Sequence, residues 1–243
     1  MTDEQVLHRD DREILRALER RALSVVLAVA PFGLVFGAAA STAGLTMLEA
    51  LGFSIFVFGG SSQFAAVEIL GDGGSVTAAA VAGLLLNVRS LAFGVILAPA
   101  LAGPLWKRAA MSQLMIDEST AVATAATELR HRRYGYMIGG VGVFVVWNLT
   151  TLAGFALFSE AGDLITDLGL DVAGPAAFLA LLWPRLTQRR QLVTAVAGAA
   201  IALALVPFAP AGVPILASML GVLVATRIPD RNPAADVTPE VQR

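Results

Sequence analysis

The sequence predicts an all-α integral membrane protein, a bundle of about seven to eight transmembrane helices with a discontinuous helix near residues 59–63. The chain has 243 residues, of which 56% are hydrophobic and only 15% charged, whereas soluble domains carry about 25% charged residues. The runs 22–48, 134–159 and 191–226 contain no Asp, Glu, Lys or Arg, and about 20 apolar residues cross a bilayer. A soluble alanine-rich bundle would need charged residues at helical spacing, which these runs lack.

The first 21 residues are of mixed charge and lack the short apolar core of a secretory leader, so the apolar run after them is expected to stay as the first span. Leu7, Ile14 and Leu18 share one helical face, which predicts a short amphipathic helix on the membrane surface. The predicted regions are a cytoplasmic amphipathic leader (1–21), a transmembrane transport domain (22–226) and a cytoplasmic disordered tail (227–243).

The apolar segments follow one another closely and define the predicted spans. They lie at about 22–44, 49–70, 75–101, 136–158, 172–184, 191–208 and 211–226. Segment 110–127 is a marginal eighth, because Asp117 and Glu118 lie inside it.

Basic residues at the segment ends predict the orientation. They are Arg20, Arg21, Arg130, Arg132, Arg133, Arg185, Arg189, Arg190, Arg227 and Arg231. Loop 159–171 is acidic, so the positive-inside bias places this loop outside and both termini in the cytoplasm. With eight spans every basic group lies on the cytoplasmic side except Lys107 and Arg108, which would face outward. With six spans, in which 49–70 and 110–127 are re-entrant, this pair also lies on the cytoplasmic side. We favour eight.

A faint internal similarity supports the choice of eight. The segment "GLTMLEALGFSIFVF" followed by "VTAAAVAG" is similar to "GLDVAGPAAFLALLW" followed by "VTAVAG". With eight spans these segments run in the same direction, as duplicated halves related by an axis along the membrane normal would.

Several chemistries have no residues to support them. The chain lacks cysteine, an HExxH zinc motif and a GxxxxGK[ST] phosphate loop. His8 and His131 lie in charged flanking segments, where we expect solvated surface residues. The sequence therefore predicts no enzyme, no metal or cofactor and no nucleic-acid partner, and transport across the bilayer remains.

The stretch Gly59-Gly60-Ser61-Ser62-Gln63 interrupts an apolar segment. Adjacent glycines weaken a helix, and opened backbone at membrane depth is tolerated only where it is buried in protein or lines a watery cavity. Its free N–H and C=O groups would bind the charged ends of a small zwitterion. The alternative is that these small residues only allow close helix packing.

Charged and amide side chains in later segments are further candidates, because polar groups in hydrocarbon usually mark a site or a pathway. Asn87 and Arg89 stand two positions apart, about 200° around a helix, so they share a cavity only if the helix deforms. Arg89 either grips a substrate carboxylate or forms an ion pair with Asp117, Glu118 or Glu68. These three acids are candidates for proton coupling.

A fourth polar cluster stands in the segment "VVWNLTTLAG". Hydrogen bonding between helices accounts for Trp147, Asn148, Thr150 and Thr151 without any function, and we favour that interpretation.

Five motifs in order resemble the AzlC family of bacterial branched-chain amino acid exporters, over residues 22–226. They are "PFGLVFG", "GGSSQFAA", "LLLNVRSLAFGVILAPAL", "DEST" and "GLDVAGPAAFLALLWPRL". The family's Gly-x-Ser-Gln-Phe pattern is met at Gly60, Ser62, Gln63 and Phe64, its Asn-x-Arg pattern at Asn87 and Arg89, and its acid pair at Asp117 and Glu118. Ser90 stands where the family is expected to have histidine, and Ile116 where threonine is expected.

The resemblance implies export of valine, leucine, isoleucine or similar compounds across the bacterial inner membrane, driven by the proton gradient. It also implies a separately encoded small AzlD-like membrane subunit as partner. A substrate would then be bound at Gly60, Ser61, Ser62, Gln63, Asn87 and Arg89. The competing hypothesis is a membrane scaffold subunit that does not transport and whose polar clusters only pack helices.

Overall fold

The computed structural model describes residues 3–159, 179, 182–183, 186–209 and 213–226. Every regular element in these ranges is a helix, which confirms an all-α protein. The chain divides into two units, Met1–Phe178 and Leu179–Arg243. The helices of the first are α1 (Asp3–Thr42), α2 (Met47–Phe56), α3 (Gly60–Gly71), α4 (Val76–Asn87), α5 (Arg89–Leu97), α6 (Leu105–Ser112), α7 (Asp117–Ala123) and α8 (Leu129–Ser159).

Helices α1 and α8 pack side by side and run in the same direction. Gly142 of α8 contacts Val26 near the middle of α1, whereas Gly154 contacts the backbone of Leu34 further along. A Cβ atom on Gly37 would overlap the carbonyl oxygen of Thr151, so glycine lets the two backbones approach closely. The end of the bundle at which α1 and α8 begin carries many arginines and is called the arginine end here.

Helices α2 and α3 form a hairpin instead of one spanning helix. The ring of Phe36 on α1 lies 6.4 Å from that of Phe53 and 5.6 Å from that of Phe64, although eleven residues of straight helix would separate two rings by about 16 Å. A Cβ atom on Gly71 would lie 3.3 Å from Ala43, just beyond the end of α1. The chain therefore enters from the far end, turns at residues 57–59 and returns; we call residues 47–71 the first hairpin.

The span that follows runs from the far end to the arginine end. Ser75 begins α4, its hydroxyl accepting from the amide of Ala78 at 3.1 Å. The helical hydrogen bonding is interrupted at Val88, and α5 then continues to Leu97. Arg132, at the start of α8, donates to the carbonyl of Ile96 at 3.2 Å, so α5 ends at the arginine end. Helices α4 and α5 thus form one membrane-spanning unit, Val76–Leu97, with an interruption at Val88.

Helices α6 and α7 form a second hairpin, residues 105–123, which enters from the arginine end. The Tyr136 hydroxyl near the start of α8 donates to the carbonyl of Met111 at 2.6 Å, and Gly140 one turn later packs against Leu114. After the tip at residues 113–116 the chain returns, because Val122 contacts Gly135. Ser119 fixes the tip by accepting from the amide of Ile116 at 3.1 Å.

This arrangement corrects the predicted spans at 49–70 and 110–127, since both segments are re-entrant. Among the described residues, three helical stretches are long and apolar enough to cross a membrane: Asp11–Thr42, Val76–Leu97 and Leu129–Ser159. With both hairpins re-entrant, Lys107 and Arg108 join the arginine end. Every Lys and Arg of residues 3–159 except Arg89 lies there, an asymmetry that the positive-inside bias explains.

The leader residues described by the structure do not form a separate surface helix, because α1 continues from Asp3 to Thr42. Of the predicted apolar face, Leu18 is buried with Ala22 and Val122, whereas Ile14 is exposed. His131 is also buried, which corrects the expectation of a solvated residue, and its Nε2 lies 2.6 Å from Asp11. The Arg130 guanidinium pairs with the same carboxylate at 2.6 Å.

The second unit contains α9 (Arg189–Leu205), α10 (Val213–Ser218) and α11 (Gly221–Ala225), at two of the predicted apolar segments. A Cβ atom on Gly198 would lie 2.8 Å from the carbonyl oxygen of Ser218, so this glycine lets α9 and the end of α10 approach each other closely. The predicted span 172–184 and the tail 227–243 lie outside the described residues, apart from positions 179 and 182–183. Of the second copy of the internal similarity, "VTAVAG" lies in α9, whereas most of "GLDVAGPAAFLALLW" lies outside the described residues.

Candidate functional site

Three helix interruptions meet at the middle of the first unit. They are the first hairpin's tip (57–59), the interruption between α4 and α5 at Val88, and the second hairpin's tip (113–116). The side-chain amide of Gln113 donates to the carbonyl of Ile55 at 2.7 Å, so the two tips touch. The sequence predicted the first interruption about three residues too late, because Gly60 through Gln63 already form the first turn of α3.

Arg89 joins the two hairpins. Its Nη1 donates to Asp117 Oδ2 at 3.0 Å, and its Nη2 donates to Ser61 Oγ at 2.8 Å. The Arg89 side chain is 40% exposed and that of Asp117 is 29% exposed. Since charge is costly in hydrocarbon, a half-exposed ion pair at this depth indicates a polar opening or a protein contact on that face.

Asn87 lies against the same tip as Arg89. A Cβ atom on Gly59 would lie 3.0 Å from Asn87 Oδ1, while Arg89 reaches Ser61 two residues further along. The two side chains would diverge on a regular helix, and the interruption at Val88 lets both contact the first hairpin. Asn87 and Arg89 thus both contact the first hairpin, one at Gly59 and the other at Ser61.

Two helix termini at the first tip present opposite partial charges. Helix α3 begins at Gly60, and within the described residues its N-cap Gly59 makes no side-chain capping bond; Ser62 instead donates to the carbonyl of Gly59 at 2.7 Å. Helix α2 ends with the carbonyls of Ile55 and Phe56, which Gln113 approaches at 2.7 and 3.5 Å. Because N–H groups end one helix and C=O groups the other, the tip offers one site for an anion and one for a cation.

Gln63 is fully buried behind this tip, and its side-chain hydrogen bond is to Phe53 and not to Arg89. Its amide nitrogen lies 3.5 Å from the carbonyl of Phe53, and Trp147 packs against Gly60, where a Cβ atom would lie 3.3 Å from the ring. Four buried polar atoms in this region have no hydrogen-bond partner in the described chain: Ser54 Oγ, Gln63 Oε1, Trp147 Nε1 and Thr151 Oγ1. Such atoms cost about 1–3 kcal/mol each unless water or a ligand satisfies them.

The other two predicted acids lie one on each hairpin. Glu68 stands seven residues after Ser61, about 10 Å along α3 toward the far end. Glu118 begins α7 beside Asp117. Among the described residues, no group of three His, Asp or Glu side chains is placed to hold a metal ion.

Gln113 is the residue of this site that the sequence interpretation missed. It lies in the segment "AAMSQLMIDEST", where the acid pair was noticed and the uncharged amide was not. Its position four residues before Asp117 is the one signal that the sequence offered.

Comparison with known proteins identifies the family. Residues 24–160, more than half of the chain, match the AzlC protein family. The chain belongs to the AzlC family. The match covers both hairpins, the span formed by α4 and α5, helix α8 and α1 from residue 24 onward, so it contains the whole of this site.

Two relatives agree with this assignment. The AzlC-family chain is 30% identical over 195 residues to "Inner membrane protein YgaZ" of Escherichia coli, covering 74% of this chain and 77% of that one. It is 31% identical over 181 residues to an "Uncharacterized membrane protein" of Archaeoglobus fulgidus, covering 74% and 79%. No solved structure is significantly similar. The chain is thus a membrane protein of a family found in bacteria and archaea.

Proposed function

We propose that this protein is a secondary transporter that exports branched-chain amino acids from the cytoplasm, together with a small AzlD-like subunit. The observation that carries the proposal is Arg89, which stands where two re-entrant hairpins from opposite ends of the bundle touch. Interrupted helices at mid-depth are the usual substrate sites of secondary transporters. The branched-chain class, the direction of transport and the partner subunit come from the resemblance described above.

The Arg89–Asp117 pair suits a zwitterion. An amino acid that inserts between the two side chains would place its carboxylate on Arg89 and Ser61 and its ammonium on Asp117. The guanidinium offers two nitrogens in a planar fork that matches a carboxylate, and the uncapped start of α3 adds favourable partial charge beside it. Each charge of the empty pair then acquires a new partner, which avoids an unpaired ion.

The same insertion explains coupling to protons. A proton that reaches Asp117 neutralises the group holding the ammonium, so proton binding and substrate binding oppose each other. A proton entering from outside would then release the amino acid outside, as export against a gradient requires. Asp117 is the proposed carrier because, of the three predicted acids, its carboxylate pairs with Arg89.

The proposed function is tested in cells that lack the gene and are fed valine-containing dipeptides. Hydrolysis of the peptide raises internal valine, and a complementing gene should lower it. The Arg89→Ala variant, produced at the same membrane level, should not lower it. Equal internal valine with and without the functional gene would overturn the proposal for this substrate.

A further inference from the structure

Two side chains of the second hairpin occupy complementary groups on and beside the first. Asp117 takes the guanidinium of Arg89 at 3.0 Å. Gln113, four residues earlier, donates to the carbonyl of Ile55 at 2.7 Å and approaches that of Phe56 at 3.5 Å. A carboxylate oxygen of Asp117 thus lies at the Arg89 guanidinium, and the amide N–H of Gln113 lies at the C-terminal carbonyls of α2.

The contact with Ile55 matters because of where this carbonyl stands. The last carbonyls of a helix have no partner inside it and carry negative partial charge, so they accept strongly from an ammonium. A neutral amide is a weaker donor than an ammonium, since hydrogen bonds with an ionised partner are about twice as strong. A charged donor would therefore displace Gln113 from this position.

We propose that the side-chain amide of Gln113 occupies the position of the substrate's α-ammonium when no substrate is bound. The second hairpin then closes the zwitterion site until an amino acid displaces this hairpin. The idea rests on the proposed function, since it assigns a further residue to the same site. When the substrate inserts, its carboxylate replaces Asp117 on Arg89. Its ammonium replaces Gln113 on Ile55 and pairs with the freed Asp117. Only a ligand with an ammonium group would then break the hydrogen bond from Gln113 to Ile55, so Gln113 would make opening of the contact between the hairpins selective for such ligands.

The contact between tips also has an apolar part that reports on opening. Ile116 of the second tip is 8% exposed and belongs to the same buried cluster as Phe58 of the first. Since the chain has no cysteine, an Ile116→Cys substitution gives one thiol. That thiol should react slowly with a maleimide while the tips touch and faster when they separate.

The experiment compares the full-length protein, purified together with its AzlD-like subunit, with Gln113→Ala prepared in the same way, and uses Ser112→Ala as the matched control. Ser112 is exposed and its hydroxyl contacts the carbonyl of Ala109 within its own helix. Calorimetric titration with L-valine should show about fivefold tighter binding to Gln113→Ala, the worth of one lost competing hydrogen bond. Binding of the corresponding 2-oxo acid, which lacks the ammonium, should be unchanged, and Ser112→Ala should bind both ligands as the parent protein does.

Equal changes for the two ligands, or no change for valine, would overturn the inference. If the parent protein binds neither ligand, the proposed function fails, and maleimide labelling of Ile116→Cys without ligand decides the closure separately. Labelling at least threefold faster in Gln113→Ala/Ile116→Cys than in Ile116→Cys alone supports a tether between the tips, and equal rates contradict it.

Discussion

The guanidinium of Arg89 lies 3.0 Å from the carboxylate of Asp117, although the two residues stand 28 positions apart in the chain. Arg89 follows the interruption of a spanning helix, and Asp117 begins the returning arm of a hairpin from the arginine end. Ser61, on a hairpin from the opposite end, accepts from the same guanidinium. Any movement of one hairpin against the other must therefore break or remake contacts of Arg89.

Neutralising Asp117 should separate the two activities expected of a proton-coupled exporter. Asp117→Asn keeps an oxygen that accepts a hydrogen bond but cannot exchange a proton. Because the neutral side chain holds the ammonium more weakly, exchange of internal for external valine in proteoliposomes should need more valine but recover at saturating valine. Valine efflux driven by a pH gradient should stay at least tenfold below that of the parent protein even at saturating valine. Equal loss of both would show that Asp117 serves binding or structure alone.

Glu118→Gln is the control for this variant, because it removes the neighbouring carboxylate on the same helix while leaving the pair with Arg89. We expect it to retain most of the gradient-driven efflux. Loss of coupling in Glu118→Gln, with coupling preserved in Asp117→Asn, would assign the proton to the other acid.

Replacing Arg89 by lysine tests the shape of the charge. A lysine ammonium can pair with one carboxylate but cannot present two parallel nitrogens, so it cannot reach Ser61 and Asp117 with the present geometry. We expect Arg89→Lys to assemble normally and to bind valine about tenfold more weakly, as measured by titration of the purified protein.

A structural role of Arg89 predicts a different result. If Arg89 only neutralises Asp117, lysine should bind valine nearly normally. Transport lost in Arg89→Ala should then return in Arg89→Ala/Asp117→Asn, because the harm would come from an unpaired charge.

Hydropathy predicted the helices but not the two reversals. Residues 47–71 form an apolar stretch of the length that one span needs. A re-entrant hairpin of the same length satisfies its backbone hydrogen bonds as a single spanning helix does, so hydropathy does not distinguish the two. The contrary cue was Lys107 and Arg108, which eight spans would place with the acidic loop. The weak internal similarity outweighed that cue, whereas the structure shows a span followed by a hairpin twice, in opposite directions.

The candidate site was predicted in its polar residue types better than in its contacts. Asn87 and Arg89 meet the first hairpin because the helix breaks at Val88, and no residue type in "LLLNVRSLAFG" demands that break. His131 was expected to be solvated, since its partner Asp11 lies 120 residues away. Long-range pairs of this kind leave no trace in local sequence patterns.

Removing Asp11 should loosen the start of α1. Asp11→Asn takes away the carboxylate that contacts both His131 and Arg130, and a buried polar group that loses its partner costs about 1–3 kcal/mol. We expect a lower unfolding temperature in detergent and faster proteolysis near the N-terminus, with little effect on valine binding. An unchanged unfolding temperature would show that these contacts contribute no stability.

The close contact between α1 and α8 should not tolerate a methyl group. In Gly37→Ala the new Cβ would overlap the carbonyl oxygen of Thr151, and overpacking of this kind costs about 1–3 kcal/mol. Gly52→Ala is the matched control, because a Cβ atom there meets nothing within 4 Å and alanine favours a helix by about 1 kcal/mol. Thermal unfolding should rank Gly37→Ala below the parent protein and Gly52→Ala at or above it; equal values for the two would contradict the packing.

The direction of the hairpins can be read by labelling single cysteines in whole cells. With two re-entrant hairpins and the arginine end in the cytoplasm, Lys107 faces inward, whereas Asp72, in the loop between the first hairpin and α4, faces outward. An impermeant maleimide should therefore label Asp72→Cys in intact cells and Lys107→Cys only after permeabilisation. Eight full spans would give the opposite result at both positions, because each hairpin would then cross the membrane. Labelling of Lys107→Cys from outside, with Asp72→Cys protected, would restore the eight-span arrangement and remove the physical basis for two tips meeting at Arg89.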